Sequence, residues 1–125
     1  MALITNLLVL LVALLHLYFL VLEMFLWDKP KGMKAFGLTP QKAADTKVLA
    51  ANQGLYNGFL AAGLLWGLFQ DLIYQGEAGL DFKVFFLLCV VVAGVYGAMT
   101  VNKKILYIQA LPAAVALALL FFSLI

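Results

Sequence analysis

Four apolar runs, at about residues 2–27, 47–73, 83–102 and 105–125, take up most of this 125-residue chain. Each reaches the roughly 20 mostly apolar residues that carry a helix across a bilayer. Inside hydrocarbon a backbone must satisfy its own hydrogen bonds, so isolated runs of this length fold as helices. Composition agrees: 66% of residues are hydrophobic, only 11% are charged, and mean hydropathy is +1.09. A soluble domain of this size needs far more polar surface. The expected fold is all-α, an integral membrane bundle of four transmembrane helices that forms a single domain over residues 1–125.

The first run lacks the basic start, the short apolar core and the small-residue cleavage site of a signal peptide, so it reads as a retained helix. The single Cys89 lies in an apolar run and reads as a packing residue. All eight basic residues are lysines, which removes the side chain best suited to bidentate capture of carboxylate or phosphate. This composition gives no footing for a nucleic-acid partner. The lysines set orientation. Lys29, Lys31, Lys34, Lys42 and Lys47 follow the first run, and Lys103 and Lys104 follow the third. The opposite side has only Lys83, beside Asp71, Glu77 and Asp81. The N- and C-termini are therefore expected outside, with the first and third loops cytoplasmic.

Between the runs, Asp28 to Leu38 is the one substantial loop, since Pro30 and Gly32 break a helix there. Its lysines obey the topology rule and can also attract an anionic substrate or headgroup. Thr39-Pro40 makes a helix start, with Thr as N-cap and Pro at the first helical position. Gln70 to Asp81 reads as a solvated outer turn, and Lys103-Lys104 as a tight turn joining antiparallel neighbours.

Polar residues inside the runs carry the functional question, because each must be met by a partner in the membrane. His16 and Glu23 are seven apart and share a helix face. The second run opens with Asn52, Gln53, Tyr56 and Asn57, laced with Gly54 and Gly58. Ala50, Gly54, Gly58 and Ala62 recur every four residues, a surface that lets a neighbouring helix come close. Later runs add Tyr96, Thr100, Asn102 and Gln109, with Pro112 freeing a backbone acceptor. By depth, His16 lies near the midplane and the other polar residues fall in the cytoplasmic half, and the outer half reads as almost entirely apolar. His16, Glu23, Asn52, Gln53, Tyr56, Asn57, Tyr96 and Gln109 are the ligand-binding candidates, with Glu23 as the best catalytic candidate. No residue is assigned to a metal and no cofactor is identified.

The run His16-x6-Glu23-Met24-Phe25, the block Asn52-Gln53-Gly54-x-Tyr56-Asn57-Gly58, the stretch Tyr96-Gly97-Ala98-x-Thr100-x-Asn102-Lys103-Lys104 and Gln109-x2-Pro112-Ala113 resemble the small bacterial membrane family called domain of unknown function 1304. The resemblance covers nearly the whole chain. It implies a four-span inner-membrane protein and no particular activity. The span count, outward N-terminus and polar opening of the second run are also similar to the membrane-associated eicosanoid and glutathione metabolism family. That similarity implies a trimer with cytoplasm-facing sites between subunits. Of its Arg, Glu and Asn pattern only an Asn is present here, at Asn52 or Asn57.

Three functional readings follow. The first is a cytoplasm-facing polar pocket that binds or converts a small amphipathic or lipid-like molecule. The second is a structural or accessory membrane protein whose amides and glycines only cement helix packing. The third is a small oligomeric transporter, which needs a polar route through the outer half. Whether the chain is an enzyme stays open. Four short helices bury little interior surface, so a homo-oligomer in the lipid bilayer is expected.

Overall fold

The computed structural model describes residues 2–74 and 77–123. They form α1 (Ala2–Met24), α2 (Pro30–Phe36), α3 (Pro40–Tyr74), α4 (Ala78–Thr100), a π-helical turn (Leu106–Ala110) and α5 (Leu111–Phe122). The chain is all-α, with no strand among the described residues. α1 and α4 are each long and apolar enough to cross a membrane, and the apolar stretch Leu106–Phe122 is shorter.

Two compact units divide the fold. One takes α1 up to Leu14 together with the described residues from Leu60 onward; the other is Leu15–Phe59. The first unit holds the apolar core, where Val9, Val12, Ala13, Leu64, Leu87, Val90, Ala113, Ala116, Leu117 and Leu120 interlock. Small residues let its backbones come close. A Cβ on Gly94 would stand 2.7 Å from the Ala110 backbone nitrogen, so α4 and the π-helical turn approach to a distance only glycine permits. The widened turn directly precedes Pro112, which has no N–H to give, and Leu111 closes it by donating to the Leu106 carbonyl.

Two loops differ from their sequence reading. Residues 28–38 contain α2 because Pro30 stands at the start of the helix, where a missing N–H costs nothing. Gly32 is used for contact: a Cβ there would lie 1.9 Å from the Leu26 carbonyl oxygen. Gly37 closes the helix at φ 63°, donating to the Met33 carbonyl. The second loop is also far shorter than the turn read over Gln70–Asp81. Helix continues through Asp71 to Tyr74 and resumes at Ala78. The start of α3 is as expected, with Lys42 N–H donating to Thr39 Oγ1 at 3.2 Å.

Candidate functional site

In the Leu15–Phe59 unit, α1 and α3 run antiparallel and touch at successive levels. At the top, the Lys47 ammonium donates to Asp28 Oδ2 at 2.7 Å, an exposed ion pair. Lys47 holds the Asp28 carboxyl below the usual carboxylate range, chiefly through this hydrogen bond. One step in, Trp27 Nε1 donates to Thr46 Oγ1 at 3.0 Å. Thr46 in turn donates to the Lys42 carbonyl at 2.7 Å. Below this the helices close on glycine. A Cβ on Gly54 would meet Met24 Cγ at 2.7 Å and Glu23 Cβ at 3.0 Å, and one on Gly58 would meet Leu20 Cδ1 at 2.7 Å.

That close approach sets Glu23 against Asn57. The Asn57 amide Nδ2 donates to Glu23 Oε2 at 3.1 Å, and both residues are buried. Burying a carboxyl without a partner is costly, and a donor on the facing helix is the direct remedy. The contact lies ten residues along α3 from Lys47, so about 15 Å of helix separates it from the exposed ion pair. His16 is fully buried, with its ring edge-on to Phe19 at 5.5 Å.

The sequence-derived candidates thus separate. His16, Glu23 and Asn57 are buried, Gln109 is half-buried, and Asn52, Gln53, Tyr56 and Tyr96 are exposed. Glu23 and Asn57 are brought together by a direct bond. Tyr96 and Gln109 belong to the other unit. The signal that sorts the amides is helical phase. Buried Ala43, Ala50, Gly54 and Asn57 fall at i, i+7, i+11 and i+14 on one face of α3, and Asn52, Gln53 and Tyr56 do not.

The core unit holds a polar cluster that the sequence reading missed. Lys83 is 4% exposed, and its ammonium donates to the Asp71 carboxylate and, at 3.1 Å, to Asn6 Oδ1. Room for it comes from two glycines. A Cβ on Gly67 would stand 2.8 Å from Lys83 Cγ, and one on Gly79 would collide with Asp71 Oδ1. The helix ends expected to be outer and apolar thus carry a charged cluster, and Asp71 belongs to a helix instead of a solvated turn. The available signal was Asn6 in an apolar run, with glycines spaced to pass α3 against α4.

The Lys83 ammonium is held by a carboxylate and an amide, whereas Glu23 accepts from the neutral Asn57 donor. A carboxyl in that setting can accept hydrogen bonds from a ligand head or exchange a proton with it. No group of three or more metal-binding side chains gathers among the described residues.

Comparison with known proteins gives one consistent relationship. The model of the family described as "Protein of unknown function (DUF1304)" matches residues 10–121. An uncharacterized protein, YpaA, of Lactococcus lactis subsp. lactis (strain IL1403) is 32% identical over 124 residues, covering 98% of this chain and 100% of the relative. No solved structure matches the chain.

Proposed function

This chain belongs to the DUF1304 family of proteins of unknown function, and from that premise we propose that it is a four-span inner-membrane protein whose Glu23 carboxyl anchors a small amphipathic ligand. The membrane reading is supported by the outer face of α1. Leu3, Leu7, Leu11, Leu14, Tyr18 and Val21 are all exposed there. They recur at spacings of three and four over 18 steps, about 27 Å of helix, close to the ~30 Å thickness of bilayer hydrocarbon. A stripe of this length facing water would be an aggregation surface. The lysine distribution supports a cytoplasmic side for the first and third loops.

The observation that carries the ligand reading is the buried Glu23–Asn57 hydrogen bond. It puts an acceptor-rich carboxyl among Leu20, Met24 and glycine backbone. The chemistry favours a head that donates hydrogen bonds, such as a hydroxyl or amine, attached to an apolar tail. An anionic head fits poorly, because the chain has no arginine to clamp it. Binding of 1-monooleoylglycerol, followed by native mass spectrometry of detergent-solubilised protein, tests this. Adducts are expected on the wild type and lost in Glu23→Ala. Equal adducts on both, with the variant folded, would rule the reading out.

The second reading is structural. It is favoured by Gly54 and Gly58, which are spent on the contact of α1 with α3. Under it, Glu23 and Asn57 only lock two helices, and their variants lose stability without any ligand effect. Self-association is part of the proposal on a different footing from small-residue faces, because Gly63, Gly67, Gly94 and Gly97 already meet neighbours within the chain. What supports it is the exposed Leu49, Gln53 and Tyr56 of α3. The mass of the detergent complex checks it.

A further inference from the structure

We propose that α2 and the adjoining face of α1 form a docking surface for one anionic phospholipid, with Lys31 and Lys34 on its phosphate and Tyr18, Val21 and Phe25 along an acyl chain. This rests on the membrane reading above and is independent of the Glu23 ligand.

The lysines are presented by a fixed element. α2 is seven residues long, too short to hold itself in water. It is kept in place at two points, the second of them anchored further to α3. Gly32 lies against the Leu26 carbonyl. The Phe36 ring meets Trp27 at 4.7 Å. Trp27 in turn is tied to Thr46 on α3. Lys31 and Lys34 are i and i+3 on this helix, hence neighbours on its surface, and both are exposed.

Charge partitioning in the segment points the same way. Of the basic residues between 28 and 47, Lys47 is taken by Asp28, and Lys29 adds to the field on that same carboxylate. Asp45 accepts instead from the Gln41 amide at 2.9 Å. Among the described residues, no carboxylate stands at ion-pair distance from Lys31 or Lys34. Their charge, like that of Lys42, is met by no carboxylate of the described residues.

The position of Lys31 identifies the partner as a lipid. Its ammonium bends back over the Tyr18 ring, 5.4 Å from the centroid. Tyr18 is 44% exposed, and Val21 and Phe25 continue the same outward face at i+3 and i+7. A cation is thus held directly over an apolar helix face, at the level that Trp27 marks as interfacial. A phospholipid has this two-part chemistry, with the anion at the headgroup and the chain beneath. A free phosphate uses only the first part and leaves the apolar face uncovered.

Native mass spectrometry of the full chain, purified from solubilised membranes and presented with equimolar phosphatidylglycerol and phosphatidylcholine, tests the proposal. Recovery from the membrane fraction checks the membrane reading separately. The wild type is expected to carry phosphatidylglycerol at least fivefold over phosphatidylcholine, about the effect of one lysine at an anionic surface. Lys31→Gln/Lys34→Gln should bring that ratio close to one while its melting temperature stays unchanged. Lys103→Gln/Lys104→Gln, which alters the other cytoplasmic lysine pair, should keep the preference. Glu23→Ala should keep it too, which separates this surface from the proposed ligand site. An even ratio in the wild type, or equal loss in both lysine pairs, overturns the proposal. Displacement of phosphatidylglycerol by millimolar inorganic phosphate overturns the lipid assignment as well.

Discussion

Asn57 reaches across 34 residues of chain to donate its amide to Glu23 at 3.1 Å, on a level where Gly54 lets α1 and α3 touch. The bond needs both parts. Without the glycine the helices stand apart, and without the amide a carboxyl is buried unmet.

Replacing Asn57 with Ala removes the donor and keeps the burial. Interhelical hydrogen bonds in membranes contribute roughly 0.6–2 kcal/mol. Asn57→Ala should lose about that much in reversible unfolding by dodecyl sulfate in mixed micelles. Asn52→Ala, at an exposed neighbour, should change little. Equal effects at the two positions would mean the bond contributes nothing specific.

Two glycines in one short segment should respond differently to Ala. At Gly32 the new Cβ meets the Leu26 carbonyl at 1.9 Å, so backbone has to move and α2 should detach. At Gly37 space is open and only the φ of 63° is strained, a cost of about 1 kcal/mol. Hydrogen exchange of the Met33 and Leu38 amides distinguishes them: broad loss of protection in Gly32→Ala, modest loss in Gly37→Ala. The reverse order would contradict the packing described for Gly32.

Lys83 is a buried cation of the core unit, paired with Asp71 and Asn6. Lys83→Met leaves Asp71 without its cation, and breaking a buried pair from one side costs about 3–5 kcal/mol. The lower part of that range is expected, since the Asp71 side chain is 25% exposed. Adding Asp71→Leu should recover a large part of the loss. If the double variant is as unstable as the sum of the two single ones, the two residues are not coupled.

The Asp28–Lys47 pair gives an acid response of defined sign. Lys47 depresses the folded-state pKa of Asp28. Its contribution is therefore complete above the unfolded value of about 4 and is lost as pH falls through the lower folded value. Between pH 5 and 8, Asp28→Asn and wild type should differ by a constant amount, with convergence only below about pH 4. Carboxyl carbon shifts of Asp28 followed by NMR read the titration directly. A midpoint at or above the usual range would contradict the pairing.

Much of this fold was legible in the sequence because apolar runs and punctuation residues act locally. Thr39-Pro40 begins α3, and the seven-residue spacing of His16 and Glu23 puts both on the buried face of α1. What escaped depends on contacts between helices. Gly32 looked like a breaker because nothing local shows the Leu26 carbonyl waiting beside it. Lys83 read only as a charge at the end of the third run because its partners, Asn6 and Asp71, are 77 and 12 residues away. The four polar side chains that open the second apolar run were all ligand candidates, but helical phase turns Asn57 inward and leaves Asn52, Gln53 and Tyr56 exposed.

The most direct measurement is the rate at which dicyclohexylcarbodiimide, which seeks carboxyls in apolar surroundings, modifies Glu23 in reconstituted vesicles, read by peptide mass spectrometry. Addition of 1-monooleoylglycerol should slow labelling at Glu23 several-fold and leave labelling at exposed Asp45 unchanged. A Glu23 labelling rate that is indifferent to the monoacylglycerol would contradict a ligand anchored at this carboxyl.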